Sequence, residues 1–232
     1  VSEVHLVGGE KGGVGKSVMA RLIAQYWIDR GAEWSGFDTD RSHGALLRYY
    51  REYAEAIEIS RVEDLDRLIE LATQREQRML VDLAAQTERD LHAWIASGDV
   101  LELADDAGLK LVFWHVMDDG KDSVDLLSRL FARYGARARY VVVLNKGRGE
   151  DFALFRASSA ALEAERLGVP VIELGPLHKT TMRKIDHLDK SFWAAVHHKD
   201  SDTEQCLGMM ERQRVKVWLR NAYAQLERLG MS

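Results

Sequence analysis

Apolar residues along the chain follow two rhythms. Short runs rich in Val, Leu, Phe and Trp occur at "VHLVG" (4–8), "WSGFD" (34–38), "RMLVDL" (78–83), "LKLVFWHV" (109–116), "RYVVVLN" (139–145) and "VPVIEL" (169–174). Between them lie stretches whose apolar positions recur every three or four residues: Ser17 to Asp29, Val62 to Thr73, Ser123 to Tyr134 and Phe152 to Leu167, with Gly31, Gly135 and Gly168 placed as stops. The first rhythm predicts six strands and the second predicts helices between them. Alternation at this spacing builds βαβ crossovers, and runs apolar on both faces, "YVVVL" above all, belong inside a parallel sheet covered on each side. The expected fold is α/β: a doubly wound, mainly parallel sheet with helices on both faces. Such sheets bind ligands at the carboxyl ends of their strands, which directs attention to the residues just after each run.

A last periodic stretch, "ERQRVKVWLRNAYAQLERL" (211–229), sets Val215, Trp218, Leu219, Ala222, Tyr223, Leu226 and Leu229 on one stripe, with Arg212, Lys216, Arg220 and Arg228 outside it. It predicts a terminal helix within 203–230, packed on the domain with a solvated basic face. The chain has 232 residues, two prolines, no low-complexity stretch and no repeat, so it reads as one domain over 1–232. No separate domain is expected ahead of the first strand. A net charge of −5 argues against a surface built wholly for nucleic acid but leaves room for a local basic face. Arg129, Arg133, Arg137 and Arg139, with Lys179, Arg183 and Lys184, are candidates for such a face. Cys206 is the single cysteine, which excludes an internal disulfide and suits a reducing cytoplasm. The first apolar run is too short for a secretion signal and no run approaches a membrane span, so a cytoplasmic location is expected. His43, His115, His178, His187, His197 and His198 lack metal-ligand spacing.

Candidate chemistry enters at "VGGEKGGVGKSV" (7–18), which leaves the first strand and opens the first helix. Gly12, Gly13 and Gly15 let the backbone curl around Val14 with its N–H groups inward, and the helix that follows, with Val18 in its first turn, presents its positive end to a phosphate. Lys16 would reach the β- and γ-phosphate oxygens and the Ser17 hydroxyl would coordinate magnesium. ATP and Mg2+ are thus the expected ligands. The standard pattern needs glycine at position 10, where this chain has Glu10, and Lys11 stands directly after it.

"KGGVGKS" with its early lysine resembles the deviant Walker A motif of the ParA/MinD family of ATPases. That resemblance implies a homodimer formed around ATP in which Lys11 crosses the interface to the partner's phosphates. A second cation held in a dry interface stabilises the charge spread over the γ-phosphate, as an arginine finger does. It also implies slow hydrolysis stimulated by a partner. "FDTDRS" puts Asp38 and Asp40 on one face of an extended strand, where two like charges are costly unless a cation or water network uses them. The family has a matching D-x-D, which implies that Asp40 orients the attacking water and Asp38 supports the magnesium shell; Arg41 and Ser42 stand where the family has Pro and Gln. "RMLVDL" resembles a Walker B strand, implying that Asp82 holds magnesium through water. Leu83, Ala84, Ala85 and Gln86 replace the family's usual switch segment. Lys11, Lys16 and Asp40 are the expected catalytic set.

"VVVLNKGR" carries the Asn-Lys of a guanine-reading motif, but its fourth position is Arg148. A guanine reader needs a carboxylate there to accept hydrogen bonds, and a guanidinium only donates, so ATP is expected over GTP. In ParA/MinD relatives the matching asparagine contacts adenine, which implies that role for Asn145, with "GPLHKTT" (175–181) as the other wall. "FDTDRSHGALLRYY" and "GPLHKTTMRKIDHLDKSF" look like the small TraL-type ATPases of plasmid conjugation and mobilisation. Nonspecific DNA, or a DNA-bound protein, is accordingly an expected partner, and membrane attachment through the terminal helix a lesser one. Two other classes stay open: a metabolic enzyme that uses ATP to activate a carboxylate, as dethiobiotin synthetase and cobyrinate amidation enzymes do, and a nucleotide-binding module that hydrolyses nothing.

Overall fold

A computed structural model describes residues 2–40, 44–199 and 205–231. Seven parallel strands form one sheet, β1 (Glu3–Gly8), β2 (Trp34–Asp38), β3 (Ala54–Ala56), β4 (Arg78–Asp82), β5 (Lys110–Met117), β6 (Arg139–Asn145) and β7 (Val171–Leu174), in the order β3-β2-β4-β1-β5-β6-β7. The helices are α1 (Lys16–Asp29), α2 (Ala45–Tyr49), α3 (Val62–Gln74), α4 (Glu88–Ser97), α5 (Val100–Asp106), α6 (Lys121–Tyr134), α7 (Ala153–Arg156), α8 (Ser159–Arg166), α9 (Lys179–His187), α10 (Phe192–His197) and α11 (Met209–Glu227).

Strand order decides which helix lies where. From β1 the chain steps one way to β2 and β3, then returns through β4 to β5, β6 and β7. A right-handed crossover places its helix on one face for steps in one direction and on the other face for the reverse. Hence α1 and α2 pack on one face with α9 to α11, while α3 to α8 cover the other. The central strands serve both cores by alternation. In β5, Leu111, Phe113 and Met117 face the α3–α8 side, while Val112, Trp114 and Val116 face the α1 side. Each such side chain contributes about 1.5–3 kcal/mol by leaving water.

The doubly wound sheet is as the two rhythms predict, with differences at its margins. β3 is a seventh strand with no apolar alternation, because "AEA" lies at the sheet edge and pairs only with β2. The helix expected over Phe152 to Leu167 is two: Ser158 breaks it, and its hydroxyl accepts from the Ala161 N–H to cap α8. α2, α4, α5, α9 and α10 add to the helices that the sequence predicts. The terminal helix begins at Met209, and Val215, Trp218, Leu219, Ala222 and Leu226 of its stripe are buried. Its Trp218 Nε1 donates to the Gly175 carbonyl at 2.7 Å, which ties α11 to the loop after β7. Arg41, Ser42 and His43, and residues 203 and 204 of the expected terminal segment, lie outside the described residues.

One buried cation organises the α1 face. Arg21 of α1, 3% exposed, donates to Asp186 of α9 at 2.7 Å and lies 3.7 Å from the ring centre of Tyr49 in α2. This contact sets α2 and α9 on either flank of the helix that follows the glycine loop.

Candidate functional site

The chain leaves β1 toward β2 but leaves its sheet neighbours β4 and β5 in the opposite direction, so the loops at these carboxyl ends part there and leave a crevice. The glycine loop fills it. Gly15 adopts φ +102°, and a Cβ there would approach Asn145 Nδ2 to 2.2 Å, so only glycine fits. Asn145 braces the loop: its Nδ2 donates to the Val14 carbonyl at 2.7 Å and its Oδ1 accepts from the Gly147 N–H at 3.0 Å. With Gly15 as N-cap, no side chain caps α1, so its first-turn N–H groups face the loop. That is the anion-binding end of a helix.

Around it lies a pocket of about 290 Å³ lined by Gly12, Gly13, Gly15, Lys16, Ser17, Val18, Asp38, Asp40, Asp82, Leu83, Ala84, Ala85 and Arg148. The expected phosphate and magnesium residues are thus brought together, apart from Val14, which points into the α1 core, and Asn145, the brace behind the loop. Lys16 is 7% exposed and its Nζ donates to the Lys11 carbonyl at 2.7 Å. Burial lowers its pKa, against the charges of Asp82 and Glu10. Glu10, to which the sequence gives no role, is therefore close enough to act on the phosphate lysine.

Asp82 is 3% exposed, and burial with the nearby Asp38 charge pushes its carboxyl up to about 7, against the Ser17 hydroxyl and Lys16. Among the described residues its Oδ1 is buried with no hydrogen-bond partner. Asp38 is spent differently. Its Oδ2 accepts from the Leu46 N–H at 2.9 Å and the Leu47 N–H at 3.4 Å, and its Oδ1 from the Asp40 N–H at 3.0 Å. Gly44, the N-cap of α2, has no side chain to offer, and Asp38 supplies the cap from the end of β2. A Cβ on Gly44 would come within 2.4 Å of that carboxylate. Asp38 thus fixes α2 as well as lining the pocket.

A magnesium ion suits this donor set. Asp82 Oδ1 is an orphaned hard oxygen beside the Ser17 hydroxyl, and magnesium prefers one or two protein oxygens completed by phosphate and water. Among the described residues no cluster of three or more His, Cys, Asp or Glu forms a metal cage.

Lys11 stands apart. It does not line the phosphate pocket; its Nζ contacts the Asp118 carboxylate at 2.9 and 3.0 Å, on the rim beyond β5. Asp118 also accepts from the Ser123 hydroxyl at 2.6 Å and the Gly120 N–H at 3.1 Å. Burial pushes the Asp118 pKa up, but Lys11, Ser123 and the Gly120 amide outweigh it and the net direction is down. The side chains of Lys11 and Asp118 are 28% and 20% exposed. Sequence reasoning missed Asp118, although "HVMDDG" ends a strand and falls under the strand-end rule that led to Asp38 and Asp82.

Beyond Asn145 the pocket opens into a groove of about 1020 Å³ between the loop after β6, the loop after β7, α9 and α11. Gly175, Pro176, Leu177 and His178 form its wall opposite Asn145, where the second wall is expected. Arg148 lines both groove and phosphate pocket. The basic candidates do not make one surface. Arg129 and Arg133 sit on α6, on one face of the sheet, while Lys179, Arg183 and Lys184 sit on α9, on the other. Arg137 is paired with Asp99 and Lys184 with Glu211.

No protein-family profile matches the chain. Two curated proteins of Escherichia coli, each named Protein TraL, are 27% identical over 241 residues and 26% over 248, covering 98% of this chain and 98% of their own. Protein MobD of Acidithiobacillus ferrooxidans is 28% identical over 173 residues, 71% of this chain and 74% of its own. Among solved structures, the MinD cell division protein of Aquifex aeolicus matches over 97% of each chain with a TM-score of 0.53 at 13% identity. The chain is ParA/MinD-like in fold and TraL-like in sequence. A structure of the MinC:MinD cell division protein complex from Aquifex aeolicus also matches, with a TM-score of 0.51 at 12% identity. Among the described residues no helix is long and apolar enough to cross a membrane.

Proposed function

We propose that the chain is an ATP-binding and ATP-hydrolysing switch that dimerises around ATP and positions, partitions or mobilises DNA or a protein cargo. The observation that carries this reading is the division of labour between two lysines. Lys16 already faces the phosphate pocket, whereas the Lys11 ammonium lies outside it, held on the rim by Asp118. One lysine suffices for the chain's own phosphates. The other is placed to serve a second molecule's.

In this reading the N–H groups of the loop and of the first turn of α1 hold the α- and β-phosphates, and Lys16 leaves the Lys11 carbonyl for the β- and γ-oxygens. Ser17 and Asp82 would hold magnesium, which when bound would neutralise phosphate charge. Asp40, at the mouth of the pocket, orients a water toward the γ-phosphorus and accepts its proton's hydrogen bond. Asp38 keeps that loop in place by capping α2. Lys11 of one molecule, released from Asp118, offsets the repulsion between two triphosphates facing one another; in a water-poor interface each such contact counts for more than in bulk. Base selection falls to Arg148 and the wall at Gly175 to His178, because both ends of the Asn145 amide are engaged by backbone. The cargo reading draws on the TraL-like sequence. The chain acts from the cytoplasm.

Sedimentation velocity with ATP and magnesium, with ADP, and without nucleotide tests the switch. A monomer that becomes a dimer with ATP alone is the expected result. A chain that binds ATP yet stays monomeric, and turns over a small carboxylate far faster than it hydrolyses bare ATP, would instead be a metabolic enzyme.

A further inference from the structure

The groove beside the phosphate pocket is roomier than a nucleoside requires. Its volume of about 1020 Å³ equals the upper end of the roughly 300–1,000 Å³ that enclose a whole drug-sized ligand. With the triphosphate in the neighbouring pocket, a nucleoside fills only the end near Val18, Asn145 and Pro176. The remainder runs between α9 and α11. Met182 and Val217, both half-buried, with Trp218 form its floor, and Lys179, Arg183 and Arg214 stand exposed along it.

Charge along this stretch is one-sided. Two carboxylates line the groove, and both are taken: Glu173 by Lys146 and Arg156, Asp186 by Arg21. Among the described residues, Lys179, Arg183 and Arg214 have no carboxylate in ion-pair reach. On a chain of net charge −5 this is a local reversal. Cations above an apolar floor between two helices match the recognition of an amphipathic helix laid in a groove. A nucleic-acid backbone would meet the cations but leave the floor wet.

We propose that this distal groove binds an acidic amphipathic segment of a partner protein, its apolar side on Met182 and Val217 and its carboxylates on Lys179, Arg183 and Arg214. The proposal rests on the nucleotide reading only for what fills the near end.

The test is fluorescence polarisation on the full chain with a labelled synthetic helix bearing glutamates on one side and leucines on the other. The same helix with lysines for glutamates, and a short DNA duplex, serve as controls. The acidic helix should bind and the basic one should not. Arg183→Glu with Arg214→Glu should weaken the acidic helix roughly tenfold or more and admit the basic one. Val217→Asp should weaken the acidic helix as well. Affinity for a fluorescent ATP analogue should be unchanged in all variants, which also shows that they are folded. Native chain that binds the analogue but not the acidic helix overturns this proposal alone; native chain that does not bind the analogue overturns the nucleotide reading. Acidic-helix binding undiminished by charge reversal overturns the groove. Duplex binding lost in the same variants, with no acidic-helix binding, replaces the peptide by nucleic acid.

Discussion

The phosphate pocket and the Lys11 rim hold charge in opposite ways. In the pocket Lys16, Asp38 and Asp82 are 7%, 1% and 3% exposed; backbone groups hold the Lys16 ammonium and the Asp38 carboxylate, and Asp82 Oδ1 is without a partner among the described residues. Burial displaces the pKa of each toward the uncharged form, and neighbouring carboxylate charge adds to it at Asp38 and Asp82. On the rim Lys11 and Asp118 keep 28% and 20% of their surface in water. Buried charges are strained until a complementary ligand arrives, so the pocket is preorganised for one. A part-exposed pair contributes under about 1 kcal/mol and is easily exchanged, so the rim suits a contact that must be given up. Preorganisation and exchange within one loop are what a switch requires.

Lys16→Ala removes the cation of the preorganised half. It should weaken ATP by roughly a thousandfold, near 4 kcal/mol, measured by titration of a fluorescent ATP analogue; binding within a few-fold of native would mean that the loop backbone alone carries the phosphates. Asp40→Ala should leave binding intact and lower phosphate release about a hundredfold or more, so that ATP-dependent dimers persist in sedimentation. Unchanged hydrolysis would take Asp40 out of the chemistry.

The rim has a support that titrates. His115, 5% exposed, is bonded through Nε2 to the carbonyl of Ser123, whose hydroxyl holds Asp118. Burial lowers the His115 pKa to about 4 from an ordinary 6.5, against the Ser123 carbonyl. The unfolded chain therefore takes up the proton first as pH falls. Stability from this group is complete above about 6.5 and is lost on descent toward about 4, by up to about 3 kcal/mol. Urea denaturation across that range should show the loss, and His115→Gln should flatten it; an equal slope in both chains would sink the assignment.

Lys11→Ala should bind ATP almost normally yet weaken the dimer roughly thirtyfold, about 2 kcal/mol. Light scattering at fixed ATP reads this directly, and an undiminished dimer would return Lys11 to a solvated role. The smallest effect belongs to Asp118→Asn. Freeing Lys11 should tighten the ATP dimer by a few-fold, whereas a weaker dimer would show that Asp118 belongs to the interface itself.

Much of this site was legible because its parts are adjacent in sequence. Glycines, Lys16 and Ser17 follow one strand within a few residues, and Asp38, Asp40 and Asp82 end the next long runs, so periodicity and the strand-end rule together find them. Asp118 obeys the same rule and was passed over because no motif accompanies it. Asn145 shows the converse. Its place at a strand end was correct, but which groups its amide meets depends on how closely Gly15 approaches β6, and no local pattern encodes that distance. Short helices such as α2 were hidden for a related reason: five residues hold too little period to read, and α2 is held by a carboxylate from β2 rather than by its own cap.

By itself the sequence determined the doubly wound sheet, the glycine loop with its two lysines, the strand-end acids and the buried stripe of the terminal helix, since each is written in contiguous residues with a fixed period or spacing. Only the tertiary structure decided that Lys11 rests on Asp118, that Asp38 caps α2, that the basic residues of α6 and α9 lie on opposite faces, and that a groove runs between α9 and α11. Those outcomes join residues far apart in the chain, through strand order and crossover handedness, and such long-range pairings leave no signal in local periodicity.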